Sequence, residues 1–335
     1  MIDIIFFIFY FSTIFFFLTY YKIISQRLKL IDKPDVKKIH KKPTPLMGGI
    51  IIFVLFIELL AYQYSIYLKN LDTQILIAIS GLCFFIGIVD DRINIKSYLK
   101  LLIIFLAVLF LLYFSNKLIL QEIYFKSFNI VLNLNKYGIY FTTLCILLLI
   151  NAFNLSDGIN GLAIIISIHW IVALFFFTFN VNITHLFLPL FTLIIIGFFV
   201  YKEKFFLGDS GSLFISSLIG LMTIYLYNFK LKSNYADLSV ENFFLIFIIP
   251  GLDMLRLFVE RIFNKRDPFS GDKKHLHHLL IKKYKLNKTL FIYTVILSLP
   301  FYANYLFNNN EIFIILCTLG FYFYIIFCLK KNYKS

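Results

Sequence analysis

Residues 138–162 read GIYFTTLCILLLINAFNLSDGINGL. The stretch begins as a mostly apolar run and ends in three amide side chains, a carboxylate and two glycines. A helix needs about 20 mostly apolar residues to cross a bilayer. The run 138–153 approaches that length, and its polar end would emerge at the level of the lipid headgroups. The same alternation of apolar run and short polar break extends along the chain. Eleven segments approach the length of a span, near 3–21, 47–67, 73–89, 101–115, 138–153, 162–180, 184–201, 212–229, 242–259, 289–306 and 311–329. The fifth is short and the seventh ends loosely, so ten is the lower count. The expected fold is an all-α, polytopic transmembrane helical bundle of ten to eleven helices, forming one domain over 1–335. No internal repeat or soluble domain is evident.

Composition agrees. The chain has 335 residues, 60% of them hydrophobic, including 43 Phe and 22 Tyr. Soluble domains are about 45–50% apolar, so lipid must form part of this protein's solvent. The first apolar run, Ile4 to Tyr21, has no basic residues before it and no small-residue cleavage site after it. It reads as a retained helix rather than a signal peptide. Cys83, Cys145, Cys317 and Cys328 each sit alone in an apolar run, so they are expected to be buried free thiols with no disulfide framework.

The net charge of +14 would suggest nucleic acid in a soluble protein. Here the distribution points to topology. With the N-terminus on the outer side, 26 of the 32 Lys and Arg residues fall in inner loops and six outside. Excess positive charge marks the cytoplasmic side. The expectation is a periplasmic N-terminus, a cytoplasmic C-terminus and no nucleic-acid partner. The outer stretch 116–137 alternates partly and reads as a short hairpin or an interfacial segment.

Five polar clusters interrupt the apolar chain, all on the inner side of this topology. The first, 32–49, combines a basic loop containing His40 with Gly48-Gly49. The bases either hold an anionic headgroup or only mark the inner side, and the glycines allow close backbone approach. The second is Asp90-Asp91-Arg92, with Lys100 at the start of the next span. Adjacent carboxylates resist joint ionisation unless a cation is near, which suits a divalent metal, a general base or a solvated helix end. In the third, Asn154, Asp157 and Asn160 recur every three residues and would share one face of a helical turn. In the fourth, Asp209 precedes a helix and either caps it or binds Mg²⁺ with phosphate oxygens. The fifth is a long basic loop through Asp253, Arg256, Arg261, Arg266, Asp272 and Lys273 to His275, His277 and His278. No thiolate lies near these histidines, so phosphate or sugar contact suits them better than zinc.

The strings PTPLMGG (43–49), DDRINIKSYLK (90–100), NAFNLSDGINGL (151–162), FFLGDSGS (205–212) and DPFSGDKKHLHHLL (267–280), in this order, resemble the polyprenyl-phosphate N-acetylhexosamine-1-phosphate transferase family. The resemblance covers about residues 32–280. It implies an inner-membrane enzyme that joins a UDP-N-acetylhexosamine to undecaprenyl phosphate at the cytoplasmic face, releases UMP and begins a surface polysaccharide. It also implies Mg²⁺, with Mn²⁺ as a substitute, and it admits a homodimer. By the family pattern Asp209 and Asn154 would ligate the metal, and Asp90, Asp91 and Asp157 would be catalytic. Thr44, Lys100, Asn160, Phe206, Arg266, Lys273, His275, His277 and His278 would bind substrate, with Lys100 on the pyrophosphate and Phe206 on uracil. Asn160 stands where Asp is common, Lys273 where Arg is common and Gly271 where Pro is common. The loop 201–204 looks shortened. His275-Leu276-His277-His278 is similar to the N-acetylglucosamine-type branch, since the peptidoglycan branch carries three consecutive histidines. The alternative class is a lipid or solute transporter or flippase, which would place ionisable residues near the midplane, often with inverted repeats.

Overall fold

A computed structural model describes residues 2–34, 42–62, 70–176, 183–232, 239–268, 272–307 and 310–331. Most of the basic stretch around His40, and Gly271, lie outside the described residues. The described chain forms twelve α-helices: α1 (Ile2–Leu28), α2 (Gly48–Tyr62), α3 (Leu71–Ile93), α4 (Ser97–Leu112), α5 (Gly138–Ser156), α6 (Leu162–Phe176), α7 (Ile183–Tyr201), α8 (Gly208–Lys232), α9 (Val240–Phe263), α10 (Leu276–Lys283), α11 (Leu286–Leu306) and α12 (Glu311–Lys331). All but α10 correspond to apolar runs of the sequence. Seven helices are long and apolar enough to cross a membrane, and four shorter helices are also apolar. The protein is an all-α, multi-pass membrane protein. Its strands are two short antiparallel pairs, β1 (Ile31–Asp32) with β2 (Thr44–Pro45) and β3 (Glu122–Phe125) with β4 (Ile130–Asn133). The second pair makes 116–137 a hairpin, one of the two readings of that stretch.

The chain divides into two compact units, residues 1–116 with 182–218 and residues 117–181 with 219–335. In the first unit α1 packs on α2, α2 on α7 and α3 on α4. Phe53 stacks on Phe84 with centroids 3.8 Å apart, and Phe214 meets both rings edge-on. Tyr10 and Thr192 share a buried hydrogen bond of 2.6 Å.

In the second unit α9 packs against α5, α6, α11 and α12. Pro250 lies inside α9 and has no N–H to give the carbonyl four residues back. That carbonyl, of Ile246, instead accepts the indole N–H of the buried Trp170 at 3.2 Å. Away from water an unmet backbone carbonyl is costly, which explains a polar ring atom among helices. Glu241 at the start of α9 accepts the N–H groups of Lys126 and Ser127 at 3.3 and 3.1 Å, fastening the hairpin to the helix.

All four cysteines are free, but only Cys83 is buried and Cys317 is exposed. In a lipid solvent an outward apolar face does not need burial in protein, so the expectation of four buried thiols is corrected.

Candidate active site

Three of the five polar clusters meet inside the first unit, through backbone contacts set by small residues. The N–H of Phe206 donates to the carbonyl of Pro45 at 2.8 Å, and the Phe206 carbonyl accepts from Met47 and Gly48 at 3.2 and 2.9 Å. The strings PTPLMGG and FFLGDSGS therefore run side by side. Thr44 is buried there and donates its hydroxyl to the Lys42 carbonyl. A Cβ on Gly49 would stand 2.2 Å from the backbone nitrogen of Gly211, and one on Gly87 would stand 2.4 Å from the Cα of Ser210. The close approach expected of Gly48-Gly49 is thus realised, and Gly87 does the same for α3. Gly87→Ala is expected to push the start of α8 away from α3 and to destabilise the protein by about 1–3 kcal/mol. Thermal unfolding in detergent would measure the loss.

With α3 and α8 in contact, the carboxylates of the DD pair separate in role. Asp91 accepts the N–H of Asp209 at 2.8 Å on one oxygen and that of Ser210 at 3.1 Å on the other. It caps α8 from a different helix, meeting donors that every helix N-terminus leaves open. Capping its own helix was one of the two readings that the sequence left open for Asp209. Asp209 instead lies in the first turn, where the helix dipole favours a negative charge. Asp90 accepts the Ile95 N–H at 2.6 Å on Oδ1 and the Lys100 ammonium at 2.7 Å on Oδ2. The left-handed Asn94 caps α3 and turns the chain so that Lys100 reaches back. The same ammonium donates to Asp209 Oδ2 at 2.7 Å.

Lys100 therefore sits between two carboxylates contributed by residues far apart in sequence. Its side chain is 11% exposed and that of Asp90 is 8% exposed, whereas Asp209 is 33% exposed. Asp209 is the face this cluster presents to solvent. Two carboxylate oxygens converging on one cation form the hard oxygen donor set that Mg²⁺ and similar ions prefer.

The other two clusters meet inside the second unit. α5 ends at Ser156, Asp157 leaves the helix at ψ 45°, and α6 resumes at Leu162. Asn154, Asp157 and Asn160 therefore do not share one helical face. Asn154 lies in the last turn, Asp157 at the cap and Asn160 in the connecting turn, because Gly158 and Gly161 (φ 87°) end the helix. A Cβ on Gly158 would stand 2.3 Å from Nε2 of His277 and 3.1 Å from Nε2 of His278. The histidine segment packs directly on this turn, and only glycine leaves room for it.

His277 is fully buried and His278 half-buried, with ring centroids 4.2 Å apart. Burial pushes His277 well below the usual histidine range, aided by the neighbouring His278 and His275. Burial, with His275 and Lys273, pushes His278 down to about 4. Both rings are thus neutral near pH 7. A folded-state pKa below the unfolded value of about 6.5 means that the unfolded chain binds the proton more readily. Stability from these groups is full above about pH 6.5 and falls as pH drops toward 4. Thermal unfolding across pH 7.5 to 4 is expected to show that decline, and His278→Gln is expected to flatten it.

His275 shares a 2.9 Å hydrogen bond between Nδ1 and Asp253, a residue for which the sequence suggested no specific role. Arg266 and Lys273 stand exposed at the edge of the segment. Asp272 accepts from Arg261 at 3.1 Å, and although burial opposes it, this bond holds the carboxyl below the usual carboxylate range. Among the described residues no group of three or more His, Cys, Asp or Glu side chains is arranged to hold a metal. Of the two metal ligands expected from the sequence, Asp209 belongs to the first unit and Asn154 to the second.

A multi-pass membrane protein with paired carboxylates around a buried ammonium at a helix N-terminus is the class that fold and site define. Residues 73–227 match glycosyl transferase family 4. It is 27% identical to the undecaprenyl-phosphate alpha-N-acetylglucosaminyl 1-phosphate transferase of Escherichia coli (strain K12), over 98% of this chain and 90% of that protein. It is also 27% identical to the Yersinia pestis protein of the same name, over 85% of this chain and 78% of the other. The probable undecaprenyl-phosphate N-acetylglucosaminyl 1-phosphate transferase of Bacillus subtilis (strain 168) is 27% identical over 78% and 72% respectively.

Proposed function

We propose that this protein transfers N-acetylhexosamine 1-phosphate, with N-acetylglucosamine the first choice of sugar, from a UDP-sugar to undecaprenyl phosphate. UMP leaves and undecaprenyl-diphospho-sugar remains, as the first membrane step of a cell-surface polysaccharide. The Asp90–Lys100–Asp209 cluster carries the reading, because two carboxylates and an ammonium suit a pyrophosphate held with a dication. The names of the relatives supply the substrates. The whole chain acts as one transferase domain in the bacterial inner membrane. Its C-terminus and active site face the cytoplasm, as the basic residues suggest.

In this reaction a lipid phosphate oxygen attacks the donor's β-phosphorus, and the bond from that phosphorus to the bridging oxygen breaks. The bridging oxygen leaves on UMP. A phosphate monoester is largely dianionic at pH 7, so the acceptor needs little help in losing a proton. Asp90, held by Ile95 and Lys100, acts chiefly in positioning, which can account for much of a rate enhancement. Lys100 shifts from its carboxylates toward the donor pyrophosphate. Asp91 keeps the first turn of α8, and so Asp209, in place. Family members use a divalent metal. Asp209 and Asn154 are the proposed residues to hold it, and Mg²⁺, or Mn²⁺ in its place, would supply positive charge against the pyrophosphate. Phe206 offers a ring to uracil, and Asn160 is a further proposed contact to the donor. The edge of the histidine segment, with Arg266 and Lys273, meets the donor's phosphate and sugar, and Asp157 and Thr44 complete the set.

The test is UMP release by purified protein from a panel of UDP-sugars. Release should require undecaprenyl phosphate and Mg²⁺ and be fastest with an N-acetylhexosamine. No release with any sugar, or release independent of the lipid, would refute the reading.

A further inference from the structure

We propose that Tyr322, on the C-terminal helix, is a positioning residue for the donor-binding histidine segment, acting through Asp253. The proposal rests on the transferase reading above and adds to it a residue outside every polar motif.

The carboxylate of Asp253 is the hub. It lies inside α9 and is 2% exposed. Buried carboxylates persist only when their acceptor sites are filled. Here His275 Nδ1 lies 2.9 Å from one oxygen, and Arg256 donates to the other at 2.9 Å. The Leu276 N–H reaches both oxygens at 3.1 Å, which fixes the first residue of α10. The remaining donor is the Tyr322 hydroxyl, 2.7 Å from Oδ1.

Tyr322 closes the arrangement from the other side. Its ring is fully buried, and its oxygen accepts from Arg256 Nε at 2.9 Å while its proton goes to Asp253. Arg256 also donates to the Lys274 carbonyl at 2.8 Å. One hydroxyl from α12 thus completes a ring of contacts that sets Lys274, His275 and Leu276. Further along α12, Lys330 meets Glu260 at 3.0 Å, and Glu260 also bonds Arg256 and Lys274. The C-terminal helix therefore grips the segment at two points more than a turn apart.

Tyr322→Phe keeps the ring and removes only the hydroxyl. Asp253 loses a donor and Arg256 Nε loses its acceptor, so the segment gains freedom without losing core volume. The expected result is a KM for the UDP-sugar raised about tenfold, corresponding to about 1.4 kcal/mol. The kcat, and the KM for undecaprenyl phosphate, should stay within about twofold of the wild type. Deuterium exchange at the amides of residues 274–280 should rise in the same variant. Phe323→Leu, an exposed neighbour on α12, should do neither. Unchanged donor KM, or equal losses in donor KM, acceptor KM and kcat together with a lowered unfolding temperature, would overturn the proposal. Unchanged exchange at 274–280 would overturn it independently of any activity. Failure of the wild-type protein to release UMP would count against the transferase reading itself.

Discussion

Asp209→Asn is expected to lower UMP release by a factor of about 10²–10³, the range seen when one well-placed electrostatic contact to a transition state is removed. The substitution keeps the shape of the side chain. Asp91 holds the first turn of α8 through the backbone N–H groups of residues 209 and 210, so the amide variant keeps its place. What disappears is the anion. Asp209 is the most solvent-facing of the three charged groups, and exposed pairs contribute about 0–1 kcal/mol. Stability measured with chelator present should therefore change little while turnover collapses. A variant that keeps full turnover would remove Asp209 from the chemistry and from metal binding. Asp91→Asn should behave differently. Its amide cannot accept on both sides, so the start of α8 loosens and the unfolding temperature falls together with activity.

That contrast shows what the sequence carried. Eleven apolar runs foreshadow eleven helices because burial in lipid requires a long apolar stretch whatever the neighbours. The glycines at 48 and 49 were legible for a similar reason, since absence of a side chain usually means that something passes close by. Partnership was legible only in part. Lys100 stood out as the cation near Asp90-Asp91, and it does meet Asp90, but nothing local says that the other carboxylate caps a helix more than a hundred residues away. The three-residue spacing of Asn154, Asp157 and Asn160 suggested one helical face, but Gly158 and Gly161 end the helix between them. The short helix α10 was missed because its eight residues hold no apolar run. Asp253 and Tyr322 lie within apolar runs of α9 and α12. A polar residue inside a membrane span is costly unless partnered, and that signal could have singled them out.

Lys100→Met tests the centre of the site from the opposite direction. The ammonium lies 2.7 Å from both Asp90 and Asp209 and is the cation that lets the two carboxylates face each other. Removing one partner of a buried ion pair typically costs about 3–5 kcal/mol. The partial exposure of Asp209 lets water screen part of this, so about 2–3 kcal/mol is the expectation in chelator. Turnover should fall as well, because the proposed contact to the donor pyrophosphate is lost. The sharper result concerns the metal. In the wild type a dication approaching these oxygens must compete with the ammonium, whereas in the variant it meets two uncompensated carboxylates. A ligand that binds only the folded state stabilises it in proportion to the logarithm of its concentration over Kd. Mg²⁺ should therefore raise the unfolding temperature more in Lys100→Met than in the wild type, although the variant is less active. Calorimetric titration in the absence of both substrates should show the corresponding gain in affinity. Equal stability of the two proteins in chelator, with equal responses to Mg²⁺, would mean that Lys100 is not the counter-ion of this pair. The carboxylates would then have to be kept together by the backbone alone, through Ile95 at Asp90 and the Asp91 cap beneath Asp209.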